Sequence, residues 1–184
     1  MRAYLHLLLL SLLVCATHVA LADEVQERRA QAGVRLFRSL LAADLDLPKK
    51  TTEDGLLIVF YYVDDQQRAA EMARQFAGAA DKIRGMDVVT EVTNDATFAE
   101  YAARIPAAVF LAQPPPRATL QSIIQYGIHN RLIVYSPFEG HVELGVLGGL
   151  SVEAQVRPFV NRSTLEASRI TLKEFFLKVT KVYR

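Results

Sequence analysis

The sequence predicts a single α/β domain: a mainly parallel sheet with flanking helices, closed by a C-terminal β-segment plus a helix. Three observations carry this. Short buried-strand patterns at 56–63, 86–92, 107–111 and 132–135 alternate with helical patterns, the order that builds a parallel sheet with crossover helices. Gly145, Gly148 and Gly149 then interrupt the alternation and lead into an extended segment ending at Asn161. No repeat or low-complexity tract competes with that reading.

The elements follow in order. Residues 24–43 read as a helix, because Val34, Phe37, Leu40 and Leu41 keep the spacing of one buried face. Residues 46–55 are polar around Pro48 and form a loop. Residues 56–63 are a continuous apolar and aromatic run between Gly55 and Asp64, the mark of a strand buried on both faces. Asp64 or Asp65 caps the next helix, 66–80, which buries Ala69, Met72, Ala73 and Phe76. Residues 86–92 form a half-alternating strand. Asn94 or Asp95 caps a short helix over 96–103. After the strand 107–111, Pro114, Pro115 and Pro116 force an extended exit. A helix over 117–126 ends at Gly127, and 132–135 is the next strand. Residues 149–160 read as two short strands or a hairpin, and Asn161 caps a short helix. Leu172, Phe175, Phe176, Val179 and Val182 make the apolar stripe of a last helix.

The first 22 residues have the layout of a secretory signal: Arg2, an apolar core from Leu5 to Val14, and a small-x-small site at Ala20-Leu21-Ala22. The expected mature domain is 23–184; removing 22 of the 184 residues leaves 162, a length that suits one core. The only cysteine, Cys15, lies inside the signal, so disulfides and thiolate metal sites are excluded from the mature chain. Arg2 is the only charge in the signal, and without it basic and acidic residues balance. That balance gives no electrostatic case for nucleic acid or an anionic membrane. No later apolar run is long enough to span a bilayer. The expected location is periplasmic, with no membrane insertion.

In an open parallel sheet, ligands sit outside the carboxyl ends of the strands. Those ends offer Tyr62 and Asp64, then Gln113, then Ser136, Phe138 and His141, all expected on one rim as ligand-binding candidates. Each also has a local role open to it, as helix cap, loop residue or turn former. Glu139, His141 and Glu143 alternate and would share a face if extended. Such a set suits Zn²⁺, but no second histidine lies nearby, and solvated loop charges explain it as well. No metal and no cofactor are expected. The glycines at 145–149 match neither phosphate-loop nor dinucleotide patterns. Ser136 lacks a nucleophile elbow, and no catalytic constellation stands out.

From Leu132 onward the chain resembles the YfiR-like periplasmic family. The residues that carry this are Leu132-Ile133-Val134-Tyr135, Phe138, Gly148-Gly149-Leu150, Gln155-Val156-Arg157 with Asn161, and the tail 170–182. Near the N-terminus the helix around Val34 to Leu41, Pro48 and the strand from Leu56 fit as well. The resemblance implies a non-enzymatic regulator acting on the periplasmic part of an inner-membrane sensor, a diguanylate cyclase or a histidine kinase, and it admits a homodimer. It departs in one respect: redox-responsive members use disulfides, which this chain cannot form. The alternative expectation is a small solute-binding component of a transport system, with a small-molecule ligand at the strand-end crevice. A small hydrolase using Asp64, Glu139 or His141 is a third reading.

Overall fold

The central strands explain the architecture. Leu56–Tyr61 (β1), Ala108–Leu111 (β4) and Ile133–Ser136 (β5) are buried along their whole length, so both faces of the sheet must be covered. The computed structural model describes residues 28–79 and 81–184. The signal segment 1–22, residues 24–27 of the expected first helix, and Ala80 lie outside the described residues.

The chain is a single α/β domain. Among the described residues, helix α1 covers 28–43. Then follow β1, α2 (Gln66–Ala79), β2 (Lys82–Ile83), β3 (Met86–Thr93), β4, α3 (Arg117–His129) and β5. The closing part is β6 (Gly148–Val152), β7 (Val156–Asn161), α4 (Arg162–Ala167), α5 (Glu174–Val179) and β8 (Lys181–Tyr183). The strands form one sheet in the order β2-β3-β1-β4-β5-β6-β7-β8. Strands β3, β1, β4, β5 and β6 run parallel, β6–β7 and β2–β3 are antiparallel, and β8 runs parallel to β7.

Side-chain alternation sends each central strand to two cores. Leu56, Ile58, Phe60, Phe110 and Tyr135 meet α1 and α2 on one face. Phe37 of α1 is the hub there, with ring centroids 5.3 Å from Phe76, 5.4 Å from Phe110 and 5.2 Å from Tyr135. Leu57, Val59, Val109, Leu111 and Val134 meet Leu120, Ile123 and Ile124 of α3 on the other face. The capping expectations resolve onto single residues. Asp65 accepts from the Arg68 N–H at 2.8 Å and so caps α2. Asp95 accepts from Thr97 and Ala99, and Asn161 from Thr164 at 2.9 Å.

Three expectations are corrected. Residues 96–103 make only a 3-10 turn, Ala99–Tyr101. Helix α3 does not stop at Gly127 but continues to His129, because Gly127 is needed for close packing rather than termination: a Cβ there would sit 2.5 Å from Val134 Cγ2. The last helix is not continuous over 172–182. It breaks at Thr180, whose backbone is extended, and Lys181–Tyr183 pair with the free edge of β7. The expected apolar stripe breaks with it. Leu172 and Phe176 are buried, while Phe175 is 65% and Val179 58% exposed, and Val182 is also exposed.

The register of β6 shapes the functional end. Tyr135 pairs with Gly148 and Ser136 with Gly149, so β6 begins level with the end of β5. The β6–β7 hairpin therefore overhangs the carboxyl end of the parallel strands. The close approach needs glycine, since a Cβ at Gly149 would lie 2.6 Å from Val142 Cγ2 and 2.8 Å from the Ser136 carbonyl oxygen. We expect Gly149→Ala to cost about 1–3 kcal/mol in urea titrations. Gly78→Ala, where a Cβ meets nothing within 4 Å in α2, should gain about 0.5–1 kcal/mol. Equal effects at the two positions would remove close approach as the reason for Gly149.

Candidate functional site

The strand order β3-β1-β4-β5-β6 reverses direction between β1 and β4. This is the topological switch point, where α/β sheets hold ligands. Here it is closed by the protein itself. Gln113 Oε1, just past β4, accepts from the backbone N–H groups of Val63, Asp64 and Asp65 at 2.8, 3.0 and 2.9 Å. Its Nε2 donates to Asp64 Oδ1 at 2.7 Å. The amide oxygen thus sits in the donor cluster where an anion would go, satisfying the N–H groups of the turn that leads into α2. Tyr62 is half-buried against the core, with its N–H donating to the Thr93 carbonyl at 2.9 Å.

Ser136, Phe138 and His141 form a second cluster at the end of β5. The Ser136 hydroxyl is fully buried and lies 2.8 Å from His141 Nδ1. The Phe138 N–H donates to Ser136 Oγ at 3.1 Å. The hydroxyl hydrogen is then free to donate to Nδ1, which places the proton of the neutral ring on Nε2. Burial pushes His141 below its ordinary pKa, and the charge of Glu143 offsets this in part. The serine is shielded and committed to its neighbours, so the pair orders the loop. Among the described residues no hydrogen bond joins this cluster to Gln113 and Asp64. The candidates thus follow the carboxyl ends of the adjacent strands β1, β4 and β5, where Asp64 with Gln113 and Ser136 with Phe138 and His141 make two separately hydrogen-bonded clusters.

The condition under which Glu139, His141 and Glu143 would share a face, an extended backbone, is not met. The segment is a series of turns in which Leu144 N–H donates to the Gly140 carbonyl at 3.1 Å and Val146 N–H to that of His141 at 3.0 Å. Gly140 takes a left-handed φ of 78°. His141 turns inward while Glu139 and Glu143 face solvent. Among the described residues no group of His, Cys, Asp and Glu is arranged to hold a metal ion.

The open space lies beside this loop, under the overhanging hairpin. A groove of about 400 Å³ runs between the 138–143 turns on one side and β6 and β7 on the other. That volume is within the roughly 300–1,000 Å³ of small-molecule sites. Its apolar surface comes from Phe138, Val142, Leu150 and Phe159. Of its charged groups, Lys181 and Glu153 pair at 2.8 Å, and Arg157 binds the same carboxylate at 3.0 Å. Hydrogen bonds from Lys181 and then Arg157 hold the Glu153 carboxyl below its usual range. Arg29 donates to the carbonyls of Pro137 and Leu150, tying α1 to the groove wall. Glu139 and Glu143 are left as its unpaired carboxylates among the described residues. Of the expected residues only Phe138 lines this groove. The β-side wall was missed because it depends on the β5–β6 register, which leaves no local pattern in the chain.

No protein-family model matches the chain, and no curated protein matches its sequence. Solved structures match its fold at a TM-score of 0.51. One is an ABC domain in complex with L-Trp from Streptococcus pneumoniae, 15% identical, covering 78% of this chain and 62% of its own. Another is a conserved domain protein from Vibrio cholerae O1 biovar El Tor, 14% identical, covering 76% and 58%. A third is a substrate binding protein with adhesive properties from Clostridium difficile, solved ligand-free and open, 13% identical, covering 76% and 58%. The chain thus spans about 60% of the length of these structures. At these identities the likeness establishes the α/β fold and no more.

The Ser136–His141 pair predicts a pH dependence. The folded pKa of His141 lies below its unfolded value, so the unfolded chain binds the proton first as pH falls. The contribution of His141 to stability is complete above about pH 6.5 and declines below it. Between pH 7.5 and 5.5 the wild type should lose more stability to urea than His141→Gln. Parallel profiles would show that the ring does not titrate differently in the fold.

Proposed function

We infer that the chain is a non-enzymatic small-ligand-binding domain, related in role to solute receptors. Its groove takes a ligand with an apolar or aromatic body and an ammonium group. The observation that carries this is the groove itself: apolar walls from Phe138, Val142, Leu150 and Phe159 beside two unpaired carboxylates, Glu139 and Glu143. Apolar lining with a few orienting polar groups is how small-molecule sites are built. Two of the fold neighbours are support of a general kind, one being a substrate binding protein and one holding L-Trp. The buried, committed state of Ser136 supports binding over nucleophilic catalysis. A thermal-shift panel of amino acids and amines tests the reading. A ligand at 100 times its Kd should add about 2.7 kcal/mol, and Glu139→Gln with Glu143→Gln should remove most of the shift. A flat panel counts against it.

One observation favours a second reading, a YfiR-like regulator that contacts an inner-membrane sensor in the periplasm. Phe175 and Val179 expose their side chains on α5, and the neighbouring β8 is an edge strand carrying exposed Val182 and Tyr183. Open edges of this kind pair with partner strands. Crosslinking in intact envelopes should then recover an inner-membrane sensor with the wild type and lose it with Phe175→Asp plus Val179→Lys. Equal recovery from both proteins argues against this surface as the contact.

A further inference from the structure

Two helices close in the same way at the amino end of the parallel strands. At the end of α3 the Arg131 N–H donates to the Ile128 carbonyl at 3.3 Å and the Leu132 N–H to Gly127 at 3.0 Å. At the end of α4 the Arg169 N–H donates to Glu166 at 3.0 Å and the Ile170 N–H to Leu165 at 3.3 Å. Both are Schellman closures, whose left-handed position is usually glycine. Here both positions are arginine, at φ 55° and 53°. Non-glycine residues in this region carry a backbone cost.

The two arginines line one cleft of about 250 Å³ with Asp46, Lys49 and Lys50. Lys49 pairs with Asp46, and Lys50 with the fully buried Asp44, each at 2.6 Å. Neither guanidinium makes a hydrogen bond or ion pair among the described residues. Asp46 is held below the usual carboxylate range by Lys49 first, and the more distant charge of Arg131 adds to this. Two of the four cations are therefore matched and two are not. Offsetting helix dipoles is one use for a cation at a helix C-terminus. It does not require left-handed backbone, and α3 already carries His129 in its last turn.

We propose that this cleft binds a phosphate group, free or as a monoester, gripped by the guanidiniums of Arg131 and Arg169 with Lys49 and Lys50 alongside. Guanidinium forks match phosphate oxygens in pairs. Helix closure fixes the backbone at both positions, so both side chains start from set points on the cleft wall, while their exposed stems leave the guanidiniums free to close on a ligand. The cleft lies at the opposite end of the strands from the ligand groove, and the proposal does not depend on that groove.

The test titrates the full chain with inorganic phosphate and, separately, with glycerol 3-phosphate. Ionic strength is fixed, and both calorimetry and the amide shifts of residues 131 and 169 are followed. Saturable one-to-one binding of both supports the site with phosphate itself as the ligand. Binding of the monoester alone supports it with a phosphorylated solute as the source. No saturable change with either at millimolar concentration overturns it. Arg131→Gly with Arg169→Gly should lose affinity by about tenfold or more, while its melting temperature without phosphate rises by about 2–4 °C per site. The asparagine pair, which also tolerates left-handed backbone, should lose binding equally. Undiminished affinity in both double variants overturns the proposal.

Discussion

Asn161 is buried at the joint between the parallel sheet and its closing half. Its Oδ1 accepts from the Thr164 N–H at 2.9 Å, and its Nδ2 donates to the Val142 carbonyl at 2.8 Å. Its backbone N–H donates to the Leu147 carbonyl at 2.9 Å. Thr164 completes the link through a hydroxyl that donates to the Gly145 carbonyl at 2.7 Å. One side chain thus ends β7, starts α4 and pins the connection from β5 to β6. Buried amide groups are costly when unmet, so these bonds fix the connection in one place. The register of β6, the overhang of its hairpin and the groove beneath all follow from where that connection lies.

The two ends of the sheet have different physical characters. At the carboxyl end, donor groups that could hold an anion are met internally by Gln113. The usual ligand position of this topology is therefore occupied by protein, and the available space moves to the groove beside β5 and β6. At the amino end, the C-termini of α3 and α4 approach each other, and their closing arginines stand without partners among the described residues. The result is an acidic, partly apolar groove at one end and a cationic cleft at the other. An overall formal net charge of only +1 conceals this separation.

The broad fold was legible because the driving pattern is local. The runs 56–63 and 132–135 are apolar without alternation, which only a sheet covered on both faces accommodates. The stripe in α1 and the cap at Asn161 are equally readable from spacing, while Asp64 and Asp65, and Asn94 and Asp95, are told apart only by the bonds they make. The candidate site was less legible. Gln113 and Asp64 stand out in the sequence as polar residues at strand ends, and in the structure they bond to each other. Ser136 and His141 stand out in the same way, and in the structure they bond to each other across the loop. Polar residues at strand ends mark where the chain must turn, and sequence does not distinguish a group that meets its neighbour from one that waits for a ligand. The C-terminal tail failed for a related reason. A helical stripe was present from Leu172 to Val182, but the free edge of β7 offered the last residues hydrogen bonds that a helix end does not.

The sequence by itself determined the alternation of the central strands and helices, the faces they bury and the short stretches where the helices start, because each depends on neighbours within a few positions. Only the tertiary structure decided the register of β6 on β5, the closure of the switch point by Gln113 and the meeting of Arg131 with Arg169. Those features join residues from 13 to 50 positions apart. Their energies come from close approach and from hydrogen bonds across segments, which leave no periodic trace along the chain.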